Sequence, residues 1–84
     1  MSEFTAVVID IRLESRVAGV ARWQISLDQT GFGLGDRGVL EAVAPSGVRL
    51  VVAVSGVKID DAGEVWHVVE KPLGPGTWVT GRVG

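Results

Sequence analysis

Two apolar segments at residues 39–44 and 48–59, separated only by Pro45-Ser46-Gly47, restrict the fold of this chain more than any other stretch. Pro45 has its φ preset for a type I turn, and Gly47 can enter the left-handed region that closes a three-residue hairpin loop. That loop fixes the register: Ala44 opposes Val48, Ala42 opposes Leu50 and Leu40 opposes Val52. One face then collects Leu40, Ala42, Ala44, Val48, Leu50 and Val52, the pattern of a core face. The other carries Val39, Glu41, Val43, Arg49, Val51 and Ala53, with Glu41 and Arg49 near enough to compensate each other. Residues 48–54, Val-Arg-Leu-Val-Val-Ala-Val, are apolar on both faces, which predicts a strand covered twice. Barrel curvature, a second copy or another protein would supply the outer cover.

Eighty-four residues suit one small domain, expected to span residues 1–84, and with no cysteine its core must rest on aliphatic packing. Hydrophobic residues make up 46% and charged residues 21%, which excludes a disordered tail. Valine dominates the aliphatic share and favours strands, while 12 glycines imply many turns. A formal net charge of -2 gives no basic footprint for holding phosphate backbones by charge alone. Met1-Ser2-Glu3-Phe4 lacks the basic and apolar regions of a signal peptide, and no apolar run approaches the roughly 20 residues that span a bilayer. The expectation is a soluble chain without a transmembrane segment, cytoplasmic or virion-associated.

Residues 5–13 alternate, with Val7, Ile9, Ile11 and Leu13 on one side, and predict a half-buried strand whose core face is that apolar set. A second alternating run at residues 17–27 comes after Glu14-Ser15-Arg16. If those three residues form the loop, Leu13 faces Val17, Ile9 faces Ala21 and Val7 faces Trp23. Gly19 would then oppose Ile11 and mark a bend or bulge. Residues 28–36 carry three glycines spaced by single residues and predict the one long loop. Glycine-rich loops can cradle phosphate, but that needs a helix N-terminus next in the chain or a nest of amides, and the residues after Asp36 read as strand. The plainer reading is a corner-turning connection with Phe32 or Leu34 tucked onto the barrel. Further on, residues 58–64 read as a turn, 65–70 as a strand, 72–76 as a proline-constrained loop and 77–83 as the last strand. No stretch carries helical periodicity. The pattern predicts an all-β small antiparallel barrel, OB-like or SH3-like, of about six strands joined by hairpins in up-and-down order. In it Gly56 would carry the bend that moves Val57 and Ile59 inside.

No constellation for chemistry emerges. Nucleophilic catalysis needs an activated hydroxyl or thiol beside a base, and the sole histidine, His67, sits in a strand, where such residues usually pack or line a rim. Zinc needs several nitrogen or sulfur ligands, which the chain lacks. Asp60, Asp61 and Glu64 do not follow a calcium-loop spacing, and acidic residues in a hairpin turn normally shape the turn. The sequence therefore predicts no catalytic residue, no metal and no cofactor. Trp23 has the register of a core residue. Trp66 and Trp78 flank the loop at residues 72–76, so they would share a face near Lys71 and Arg82; strand aromatics usually pack, yet on an exposed face they would make a sticky patch. An oligonucleotide-binding barrel stacks bases on aromatics beside cations, which keeps single-stranded nucleic acid as an alternative ligand.

Gly38-Val39, Ala44-Pro45-Ser46-Gly47, Gly63-Glu64-Val65-Trp66, Pro72 and Gly76-Thr77-Trp78-Val79 together resemble the soluble C-terminal domain of NfeD-like proteins, a small OB-fold β-barrel. The likeness covers residues 37–83 and implies a non-catalytic interaction module working beside membrane or protease partners. It supplies no active-site residues. The sequence thus predicts a non-enzymatic association or structural module, a homo-oligomer or a subunit of a larger complex. Its candidate interaction surface is Trp66, Trp78, His67, Phe32, Val51 and Val57.

Overall fold

The structure, a computed structural model, describes residues 2–84. It is all-β, as the sequence predicts, with seven strands rather than six: β1 (Ser2–Val17), β2 (Val20–Leu27), β3 (Gly38–Val43), β4 (Arg49–Val54), β5 (Gly56–Ile59), β6 (Val65–Val69) and β7 (Trp78–Val83). All pairs are antiparallel and the hydrogen-bonded order is β4-β3-β7-β1-β2-β6-β5. This is not the up-and-down order expected from the sequence. The C-terminal strand β7 lies between β1 and β3, because β1 is 16 residues long and serves two partners in succession. Residues 2–7 pair with β7, and residues 8–17 pair with β2. Two four-stranded layers therefore share β1, and β4 runs straight into β5 through Ser55 to join their far sides. The result is barrel-like, with the two ends of the sheet consecutive in the chain.

The central hairpin forms in the expected register, with Leu40 opposite Val52 and Ala42 opposite Leu50. Gly47 has φ 88°, and its N–H donates to Ala44 O at 2.8 Å. Leu40, Ala42 and Val52 are buried, whereas Leu50 and Val48 lie beyond the core at the hairpin's free end. Ser55 and Gly56 both oppose Val68, the geometry of a bulge, and it resets the alternation so that Val54 and Val57 both point inward. Ile59, expected inside as well, is 46% exposed.

The first hairpin differs from expectation. Glu14-Ser15-Arg16 is strand; the chain turns at Ala18-Gly19, whose φ values of 51° and 78° make a two-residue type I′ turn, with Val17 opposite Val20. Gly19 is consequently in the turn and does not oppose Ile11, whose partner is Ile25. β1 also carries an extra residue twice, at Ile9 and at Glu14. Each bulge flips the alternation. Ala6 and Val8 point inward before the first bulge, so Val7 and Ile9, expected in the core, do not. Beyond it the expected face returns, with Ile11 packed against the core and Leu13, opposite Trp23, half exposed toward the hairpin's end.

The core unites Ala6, Val8, Leu40, Ala42, Val52, Val54 and Val79 from one layer with Ile25, Leu27, Val57 and Val69 from the other. Two loop residues complete it: Phe32, 4% exposed, from the glycine-rich connection, and Leu73, 5% exposed, from the proline-constrained one. Leu34, the alternative plug residue, is exposed.

Candidate functional site

Phe32 owes its place to a directed chain of hydrogen bonds. The Phe32 N–H donates to Thr30 Oγ1 at 3.0 Å, and Thr30 Oγ1 lies 2.7 Å from His67 Nε2. His67 Nδ1 lies 2.8 Å from the Ile25 carbonyl. A carbonyl only accepts, so Nδ1 carries the proton, Nε2 is the acceptor and the Thr30 hydroxyl donates to it. The Phe32 ring then meets Phe4 and His67 edge to face, with centroids 5.8 and 5.3 Å away. Burial holds the His67 pKa below the ordinary histidine value, partly opposed by the Ile25 carbonyl and Glu64. The imidazole is fully enclosed, has both nitrogens occupied by structural partners, and ties the long loop to the barrel.

Trp66 and Trp78 do not share a face. Trp66 lies on the outer side of the β2-β6-β5 layer beneath a polar lattice. The Arg12 guanidinium sits 3.8 Å above its ring. Arg12 Nε donates to Gln24 Oε1 at 2.6 Å, Gln24 Nε2 donates to Glu14 Oε2 at 3.0 Å, and Lys58 Nζ donates to Glu14 Oε1 at 3.2 Å. Burial acts to raise the Glu14 pKa, but the Gln24 amide and Lys58 outweigh it and hold the carboxyl below its ordinary value. Trp66 Nε1 donates to Asp60 Oδ2 at 3.0 Å, and the other Asp60 oxygen accepts the Ala62 and Glu64 N–H groups. Asp60 is thereby committed to the β5-β6 turn. Among the described residues no three metal-ligating side chains converge.

Trp78 stands on the other layer and is 69% exposed. The pairing registers build the outer face of β4-β3-β7-β1 as three rows. Ala53, Val39, Arg82 and Glu3 form the first; Val51, Glu41, Thr80 and Thr5 the second; Arg49, Val43, Trp78 and Val7 the third. Glu41 sits in the middle, paired with Arg82 at 3.2 Å and with Arg49 at 3.7 Å; Arg82 also pairs with Glu3 at 2.9 Å. Val43 and Val51 beside this network are more than half exposed. Of the covers expected for the second apolar face of β4, barrel curvature does not supply one, and within this chain that face is open. Of the six residues the sequence singles out, Phe32, Val57, Trp66 and His67 are buried within this chain, and only Val51 and Trp78 face outward. Val43 belongs with them, and its alternation with Ala42 in β3 was the available signal.

The open face ends at a groove of about 310 Å³, lined by Val51, Val52, Ala53, Ser55, Glu70 and Lys71, where β4 and the end of β6 diverge. A second, more apolar hollow of about 440 Å³ lies at the hairpin tip between Pro45, Leu50, Leu73 and Trp78. Comparisons with protein-family models, with curated proteins and with solved structures give no match.

Proposed function

We propose that this chain is a non-enzymatic association module, a subunit that joins a larger complex through the outer face of the β4-β3-β7 layer. The observation that carries the reading is Trp78, 69% exposed beside the open Val43 and Val51. An exposed aromatic set among valines and next to a network of both charge signs has the composition of an interface centre with a polar rim. The likeness to the interaction domain of NfeD-like proteins points the same way. His67, the one side chain suited to acid-base work near neutral pH, is fully engaged in anchoring a loop.

Single-stranded nucleic acid, the other ligand class the sequence leaves open, would need adjoining aromatic platforms. Trp66 is roofed by Arg12 and Trp78 stands alone on the opposite layer. Titration with labelled oligonucleotides at low salt is expected to leave tryptophan fluorescence unchanged.

The direct test is solution mass by light scattering over a hundredfold range of concentration, for the native chain and for Trp78→Ser. The native chain is expected to exceed the monomer mass, alone or with its partner, and the variant to shift at least tenfold toward monomer. A native chain that stays monomeric throughout and retains no protein on an affinity column would overturn the reading.

A further inference from the structure

Among the described residues, β4 has a strand partner on one side only. The Ala44 N–H donates to Val48 O at 2.9 Å, so the bonded pairs continue at Ala42 with Leu50 and Leu40 with Val52. In an antiparallel ladder the alternate residues aim their backbone groups the other way. Those are Arg49, Val51 and Ala53. Ser55, next in that series, donates to Val68 O at 3.0 Å, which closes the edge there. A free edge of five residues, 49–53, is left facing the groove.

Exposed edges are normally blunted by proline, lysine, a bulge or a covering loop. Residues 49–53 read Arg-Leu-Val-Val-Ala, without proline, lysine or a register shift. Resting on the association reading above, we propose that the occupant of this edge is the β4 strand of a second copy, added antiparallel across a two-fold axis at Val51. Two observations select a second copy.

The first is length. With Val51 facing its own counterpart, Ala53 faces Arg49 of the other copy, and the residue that would face Ser55 is Gly47. There the other chain turns away at its hairpin loop, at the point where β6 closes the edge. The free edge and the strand offered to it end together.

The second is charge. Arg49 is 72% exposed and holds Glu41 only loosely, at 3.7 Å. Across the axis it would lie over Ala53, which shares the groove wall with Glu70. Glu70 is exposed and makes no ion pair among the described residues. Each copy therefore brings an available cation to the other's available carboxylate. The pairing also sets Leu50 beside Val52 of the other copy on the inner side and Val51 beside its own counterpart on the outer side, which adds cross-strand contacts on both sides of the extended sheet.

The chain has no cysteine, so Val51→Cys places one thiol on the axis. Bonded antiparallel neighbours lie within disulfide range, and mild oxidation is expected to convert this variant to a covalent dimer. Trp78→Cys under the same conditions should form no covalent dimer. Val51→Pro removes a donor that the β3-β4 ladder does not use, and should weaken dimerisation at least tenfold in light scattering with the circular dichroism of the fold retained. Arg49→Glu should weaken it too, and Arg49→Glu combined with Glu70→Arg should restore it. A native monomer at all concentrations, or failure of Val51→Cys to cross-link, overturns the proposal. Association that survives Val51→Pro but is lost in Trp78→Ser would also overturn it, while leaving the broader association reading standing.

Discussion

Phe4 has a ring where most strands would place an aliphatic side chain, and Gly81 directly opposite makes that tolerable. A β-carbon at Gly81 would stand within the Phe4 ring, and one at Gly31 would approach Phe4 Cδ1 to 3.0 Å. The ring thus lies across a glycine of β7 with a glycine of the long loop on its other side, and its edge meets Phe32. Gly81→Ala is expected to destabilise the fold by about 2 kcal/mol, the usual scale for overpacking a fitted core. Phe4→Leu should cost less in that background than in the native one, because the smaller side chain relieves the same clash. A double-mutant cycle from urea unfolding measures this, and strict additivity would show that the two residues do not share the space. Neither role is visible in the sequence: Gly81 reads as one more glycine near the terminus, and Phe4 falls just before the alternating run that begins at residue 5.

The two hairpins show why one register was legible and the other was not. Pro45-Ser46-Gly47 contains a residue with preset φ and a glycine at the position requiring φ above zero, so loop length, turn type and register are all set by three residues. In the first hairpin the turn uses Ala18 at φ 51°, a conformation alanine disfavours, and the stronger polar signal at Glu14-Ser15-Arg16 is strand. Period-two alternation then misassigns the core face in the first half of β1, because the bulge at Ile9 puts Ala6 and Val8 inside in place of Val7 and Ile9 while leaving Ile11 on the expected side. Bulges leave no compositional mark here. The candidate site suffered likewise: Val51 and Trp78 were legible as strand residues, but the division into two layers that separates Trp66 from Trp78 depends on β7 pairing with β1 across most of the chain's length. The turn itself yields a prediction. Ala18→Asn makes the Asn-Gly pair that type I′ turns prefer, and should stabilise the protein by about 1 kcal/mol. That corresponds to a rise of about 4–8 °C in Tm for a domain of this size. An unchanged Tm would mean that the turn tolerates alanine without strain.

For the molecule as a whole, the ends of the barrel matter as much as its walls, since two loops place Phe32 and Leu73 in the core. The Phe32 plug hangs on a neutral His67 that accepts from Thr30 and donates to Ile25 O. Protonating Nε2 would turn that acceptor into a donor, leave the Thr30 hydroxyl hydrogen without its partner and place a charge in the interior, with Glu64 the one acidic group that favours the charged ring. Because the folded pKa is depressed, the unfolded chain binds this proton more readily, and stability rises with pH across the interval between the two values. The contribution is complete above about pH 6.5, the ordinary histidine value, and is lost as pH falls below it. Glu14 and Asp60 are also held low, so their stabilisation is lost in a separate, more acid range, as pH falls through and below their ordinary values of 4.5 and 3.8. The interval from about pH 6.5 to pH 5 therefore reports on His67 alone, the only histidine in the chain. Tm should be level from pH 8 to pH 7 and decline through that interval, with Phe32 becoming accessible as its loop lifts. His67→Gln, which cannot titrate, should lower Tm at pH 7 yet flatten the profile above pH 5; a variant that keeps the native slope would place the acid sensitivity elsewhere.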